Sequence, residues 1–176
     1  MAQTQVVHTL KSIVTELLES IIPAILIAII LNLFIVQPTK VRGESMEPTL
    51  HTDEYLLVEK ISYRLHEPRR GDVVVFKYPR DEQENFIKRV IAIPGDMVEI
   101  DSGRVSINGQ PIVEPYLLQL PRESMPLTEI PEGKLFVLGD NRLNSNDSRA
   151  FGMVSMGEVL GRAWLRYWPI DQFNLF

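Results

Sequence analysis

The sequence predicts a mainly β chain: a barrel-like antiparallel β-sheet domain behind one N-terminal transmembrane α-helix. Three observations lead there. A single uncharged apolar run, residues 21–36 (IIPAILIAIILNLFIV), lies near the N-terminus. After Lys40 the apolar residues come in short β-like runs separated by Gly, Pro and Asn, the pattern of an all-β barrel or sandwich. Between two of those runs stands Asn108-Gly109, a dipeptide that supplies positive φ cheaply and marks a hairpin turn. The organisation expected is a tail and anchor helix over 1–38 and a β domain over 39–176, with a small hairpin or loop cap within about 97–133.

Leu17 and Leu18 extend the apolar run to about twenty residues, enough for a helix to cross a bilayer core of ~30 Å. Pro23 and Asn32 are tolerable in such a helix near an end or against a partner. A cleavable signal peptide needs a basic lead and a small-residue cleavage site. Here Glu16 and Glu19 precede the run and Gln37-Pro38-Thr39 follow it. A buried core helix would show a polar stripe, and this run has none. An uncleaved membrane anchor fits best. Its direction is not set by charge, because Lys11 and the terminal amine flank one side and Lys40 and Arg42 the other.

Candidate strands follow in order: residues 55–58, 72–78 after the Gly71 turn, and 86–93 up to the stop Pro94-Gly95-Asp96. Residues 97–100, 104–107 and 110–113 read as a meander, and 135–138 and 159–167 as later strands. Residues 117–131, with three prolines, read as a loop.

Composition narrows the function. A net charge of −5 with no polybasic run argues against nucleic acid as a partner. Cysteine is absent, which removes thiol nucleophiles and Cys-type zinc sites, and His8, His51 and His66 have no metal-binding spacing. No cofactor is implied.

Three segments can carry chemistry. Ser45 lies in Val41-Arg-Gly-Glu-Ser-Met-Glu-Pro-Thr-Leu50, shortly after the anchor, and its plain reading is a turn serine. Serine attacks only when a base takes its proton. His51 and His66 stay open as that base; the other solution is a lysine kept uncharged by apolar surroundings. In Phe86-Ile-Lys-Arg-Val-Ile-Ala-Ile93, strand alternation puts Lys88 on a face with Phe86, Val90 and Ala92, and Arg89 with Ile87, Ile91 and Ile93. Each face carries one cation, but only lysine can be desolvated into a base. Residues 139–152 (GDNRLNSNDSRAFG) read either as a tight surface loop or as a paired network of Asp140, Arg142, Asp147 and Arg149 bracing a site.

Together these segments resemble the type I signal peptidases, serine peptidases with a Ser/Lys dyad. The likeness rests on Ser45-Met46-Glu47-Pro48-Thr49-Leu50, Arg70-Gly71-Asp72-Val73-Val74-Val75-Phe76, Lys88-Arg89-Val90-Ile91-Ala92 with Pro94-Gly95-Asp96, and Gly139-Asp140-Asn141-Arg142 with Asn144-Ser145, Asp147-Ser148-Arg149 and Gly152, in that order. The resemblance implies Ser45 as nucleophile and Lys88 as its base, with Ser145 orienting the amine and Asp147–Arg149 as a supporting ion pair. It implies an oxyanion held by the Ser45 N–H and a second donor; Gly43 stands where some members carry a serine hydroxyl. Val41, Met46, Leu50, Phe86 and Ile87 would line two shallow pockets for small residues at −1 and −3 of a preprotein signal peptide. The implied setting is a plasma or thylakoid membrane, in contact with lipid, crossed once, with the catalytic domain on the extracytoplasmic or lumenal side. A self-cleaving repressor of the SOS type shares this chemistry, but would carry a DNA-binding helical domain where this chain has its apolar span.

Overall fold

The N-terminal helix α1 (Ala2–Phe34) is 33 residues long, about 50 Å at 1.5 Å per residue. The structure is a computed structural model that describes residues 2–176, with side chains from Thr15 onward, so those of His8 and Lys11 lie outside the described residues. Within α1, Thr15–Phe34 has a mean hydropathy of 2.4 and no protein cover, and is long and apolar enough to cross a bilayer core. The helix stops two residues short of the end of the apolar run. Ile35 and Val36 are β-branched, and Pro38 pushes its predecessor out of the helical region, so the chain passes into strand β1 (Val36–Lys40). Sequence reading did not mark this strand. Pro38 is accommodated because β1 lies at a sheet edge.

After β1 come β2 (Tyr55–Glu59), a short helix α2 (Ser62–Leu65), β3 (Val73–Tyr78) and β4 (Asp81–Ala92). Lys60 fastens the end of α1 to this region: its Nζ donates to the Asn32 carbonyl at 3.2 Å and its N–H to the Ile35 carbonyl at 2.9 Å. The Arg64 guanidinium lies 5.7 Å from the Phe34 ring centre. Next are β5 (Met97–Asp101), β6 (Arg104–Ile107), β7 (Gln110–Pro111), β8 (Met125–Glu129) and β9 (Lys134–Leu138). A short helix α3 (Ser148–Phe151), β10 (Val154–Ser155), β11 (Val159–Trp168) and β12 (Asn174–Leu175) complete the order.

The strands pair antiparallel throughout, as the predicted fold class requires. The larger sheet runs β1-β2-β11-β3-β4-β9-β10, with β12 on β11, and the smaller runs β7-β6-β5-β8. Asn108 and Gly109 both have positive φ, as the hairpin turn between β6 and β7 demands.

Three expectations need correction. Residues 117–131 are not all loop, since β8 pairs with β5 from Met97↔Glu129 onward and takes Pro126 at a sheet edge. Strand β4 begins five residues before Phe86, because the acidic stretch from Asp81 forms the outer half of the β3–β4 hairpin. The alternation along β4 breaks at a bulge, where Val90↔Val137 is followed by Ala92↔Phe136. Val90 therefore packs with Val74, Phe76 and Val137, while Ile91 and Ala92 both join the cluster of Val98, Ile100 and Phe136. Ile93 returns to the side of Val90. The face expected for Lys88 ends at Val90.

Asp96 joins the two sheets at the turn between β4 and β5. It is buried and accepts from the Arg70 guanidinium, the Ile93 N–H at 2.9 Å and Asn108 Nδ2 at 3.1 Å. Burial works to raise its carboxyl, but these donors prevail and hold it below the usual carboxylate range. This stabilisation is present above the unfolded-state value and is lost as pH falls through the lower folded one. Asp96→Ala is expected to cost about 3 kcal/mol by orphaning Arg70 and two amide donors, read as a lower urea midpoint at neutral pH.

Candidate active site

The segment between β1 and β2 folds back on itself. Val41 and Glu54 close its base through the Val41 N–H to Glu54 carbonyl bond at 2.8 Å, and Leu50 N–H reaches the Met46 carbonyl at 2.9 Å. Gly43 makes the reversal at φ +84°. Met46 and Leu50, four residues apart on the inner side of the turn, pack into a core cluster with Val41, Leu56, Val73 and Ala163. Ser45, on the outer side, is half-buried.

Strand β4 delivers Lys88 to this serine. Nζ of Lys88 and Oγ of Ser45 are hydrogen-bonded at 2.7 Å, and the amine also donates to its neighbour's carbonyl, Ile87, at 3.0 Å. Lys88 is only 4% exposed. Burial pushes the amine down to about 8, against the pull of the Asp147 and Asp140 charges, which favour the ammonium. The next residue goes elsewhere: Arg89 makes a two-armed bond to Asp140, at 2.8 and 2.6 Å. The two cations that sequence alternation left equivalent are thus given different partners. His51 pairs with Glu47 at 3.3 Å and the His66 ring meets the Glu67 carbonyl at 2.9 Å; neither is hydrogen-bonded to Ser45.

The segment after β9 closes over the serine loop. Asn141 donates from its N–H to the Ser45 carbonyl at 3.0 Å and from its amide to the Glu44 carbonyl at 3.1 Å. Asp147, fully buried, caps α3, accepts from Gly139 N–H at 3.0 Å and pairs with Arg149 at 2.8 Å. Burial alone would raise its carboxyl; the Arg149 guanidinium and Gly139 N–H hold it below the usual range. Of the four charges once considered as one network, only Asp147 and Arg149 pair with each other. Arg142 turns to Glu114, which also accepts from the Tyr116 hydroxyl at 2.7 Å, and the Tyr116 ring covers Arg89 at 4.2 Å. The Ser145 hydroxyl is buried and acts on the Asp147 carboxylate rather than on the lysine amine, so the bond to that amine that the resemblance implied is not formed.

A cleft of about 570 Å³ runs past this pair. Val41, Phe86 and Ile87 line it together with Ser45 and Lys88. Met46 and Leu50 do not, because they are turned into the core beneath at 1% and 0% exposure. One wall is the segment 39–42 and the other the outer part of β4, whose pairing with β9 starts only at Arg89.

A family model described as signal peptidase, peptidase S26, matches residues 14–168. The chain belongs to that family. Among its relatives, the probable signal peptidase I-1 of a Synechocystis species is 38% identical over 168 residues, covering 92% of this chain and 86% of that one. Signal peptidase IB of Staphylococcus aureus strain COL is 36% identical over 183 residues, covering 94% and 95%. A solved structure of a signal peptidase I from Enterococcus faecalis V583 superposes with a TM-score of 0.50 at 34% identity, over 55% of this chain and 97% of that one. The chain is a serine peptidase by family, and therefore a hydrolase.

Sequence reading of this signal peptidase passed over Glu114, Tyr116 and Gly139 as site residues. Glu114 and Tyr116 gave no signal, since they lie in a proline-broken stretch with no periodic pattern. Gly139 stood in a quoted motif, but its reason is spatial: a Cβ there would overlap both the Ser145 hydroxyl and the Ser45 carbonyl oxygen. Gly139→Ala must displace the serine loop, so proteolytic activity is expected to fall by at least roughly a hundredfold. Circular dichroism should show the β-sheet retained. Lys88 makes a second prediction. A buried amine at about 8, against 10.5 unfolded, costs roughly 3 kcal/mol at neutral pH. Because the unfolded chain binds the extra proton, stability should rise between about pH 8 and 10.5, and Lys88→Met should raise the neutral-pH stability and flatten that rise.

Proposed function

We propose that this chain is a membrane-anchored signal peptidase I that cuts signal peptides from exported preproteins after small residues at −1 and −3, using Ser45 as nucleophile and Lys88 as general base. The observation that carries the reading is the 2.7 Å bond between the Ser45 hydroxyl and a buried lysine amine. At a value of about 8, a usable fraction of that amine is neutral near physiological pH, which arginine could never provide.

Lys88 accepts the hydroxyl proton as Ser45 attacks the scissile carbonyl, then passes it to the departing amine. The same amine activates the water that releases the acyl-enzyme. The Ser45 N–H, which has no acceptor among the described residues, is the first oxyanion donor. Asp147 and Arg149 support the loop rather than react. Ser145 is assigned to orient the amine, as the family resemblance implies.

The substrate enters as an extended strand between the two unpaired edges, segment 39–42 and the outer part of β4. Main-chain bonds give affinity, and alternate side chains reach the wall of Val41, Phe86 and Ile87. The −1 and −3 side chains share a face of such a strand, so both must be small. The uncovered apolar helix α1 is the membrane anchor, crossing once a plasma or thylakoid membrane, with the catalytic domain on the extracytoplasmic or lumenal side where signal peptides emerge. Lipid and preproteins are its partners.

The test is cleavage of a preprotein by the detergent-solubilised chain. Ser45→Ala, Lys88→Ala and Lys88→Arg are each expected to lose at least about a thousandfold in kcat/KM while remaining folded. His51→Ala and His66→Ala should keep wild-type activity. Substantial turnover by Lys88→Arg would remove the assigned base, and a severe loss in a folded His51→Ala or His66→Ala would transfer the role to histidine. In the wild type, kcat/KM should climb about tenfold per pH unit on the acid side and level off above about 8, as the amine loses its proton.

A further inference from the structure

One wall of the cleft is carried by the β3–β4 hairpin, and the tip of that hairpin is held from outside. The two strands pair in regular register from Val73↔Arg89 to Lys77↔Asn85, then shift before Tyr78↔Asp81. Beyond the shift, the tip is tied to the segment after β9 at two points. Asn146 Nδ2 donates to the Tyr78 hydroxyl at 3.2 Å, and Arg80 Nη2 donates to the Ala150 carbonyl at 2.6 Å.

Tyr78 also braces the cleft wall directly. Its ring is stacked on Phe86, 4.2 Å between centres and 10° from parallel. Phe151 meets both rings edge-on, at 5.5 and 6.2 Å. Phe86 lines the cleft and Tyr78 does not; Tyr78 stands behind it. A half-buried ring on an unpaired strand edge ordinarily has alternative rotamers open to it. With one face covered by Tyr78, Phe86 has lost the space into which it would swing.

We infer that Tyr78 is a specificity-determining positioning residue: by stacking behind Phe86 it fixes the depth of the cleft, so that only small side chains seat beside Ser45. This rests on the reading of the cleft as the signal-peptide site. Such a pocket excludes larger residues by overlap, and overlap discriminates only when the wall cannot yield. Tyr78 touches neither the nucleophile nor the base and reaches the amine only through Phe86, whose ring centre lies 5.1 Å from Lys88 Nζ, so its main effect should fall on the choice of substrate.

The experiment uses the full chain in detergent and two peptide pairs, Ala against Leu at −3 and Ala against Leu at −1, with all else identical. In Tyr78→Ala the Leu-to-Ala ratio of kcat/KM should rise about tenfold or more at one of the two positions, while the Ala peptide stays within about threefold of wild type. Tyr78→Phe keeps the flat face and should restore the wild-type ratio. Should Tyr78→Ala fail to fold, Tyr78→Leu, which keeps apolar bulk without a flat face, carries the same expectation. An unchanged ratio in a variant that still cuts the Ala peptide, or an equal fall on both peptides, overturns the role given to Tyr78 and leaves the signal peptidase reading standing. A wild-type chain that cuts neither Ala peptide overturns that reading, and this inference with it.

Discussion

The site depends on keeping one amine dry. In the proposed mechanism Lys88 takes a proton from Ser45 only if its own proton has been driven off near neutral pH, and solvent exclusion is what drives it. The surroundings do this at close quarters: the Phe86 ring centre lies 5.1 Å from the amine, and the Ser45 hydroxyl is bonded to it. The fold therefore accepts a local penalty of a few kcal/mol, which the three apolar clusters must offset.

The two nearby carboxylates make that balance harder. Asp147 and Asp140 both favour the ammonium form, although neither makes an ion pair with it. Left unpaired, either could hold Lys88 charged. Each instead has its own guanidinium, Arg149 for Asp147 and Arg89 for Asp140. The carboxylates can then accept backbone and side-chain donors that shape the loop, from Gly139 N–H and the Thr49 hydroxyl, with much of their field cancelled. Adjacent cations on β4 thus have complementary duties: the lysine is made easier to deprotonate, and the arginine keeps its charge to screen a neighbour.

What could be read from the sequence follows from how local each feature is. The strands with clear alternation, the Asn108-Gly109 turn and the apolar helix are set by neighbours in the chain, and they stand where expected. Strand β8 escaped because its stability comes from β5, about thirty residues away, while its own prolines advertised a loop. The bulge in β4 is a register effect against β9, so strict alternation overran it at Ala92. At the site, motifs brought Ser45 and Lys88 into view, but a motif cannot state orientation. Met46 and Leu50 lie in the nucleophile segment yet point into the core, and Glu114 enters the Arg142 pair from a stretch with no pattern at all.

The connection between helix and cleft is short and stiff. From Phe34 the chain has a single intervening residue, Ile35, before β1, and β1 is paired along its whole length with β2. Five strand residues advance roughly 17 Å, and the cleft begins where they end, at Thr39 and Lys40. The junction itself is pinned by Lys60 on the Asn32 and Ile35 carbonyls and Arg64 on Phe34. A flexible linker would let the serine sample every height above the helix end; a paired strand allows only a narrow range. On the proposed function, with a substrate itself anchored by an apolar segment, that fixed offset would decide which bond along an extended chain arrives at Ser45. The cleft walls then need only test the side chains that the offset presents.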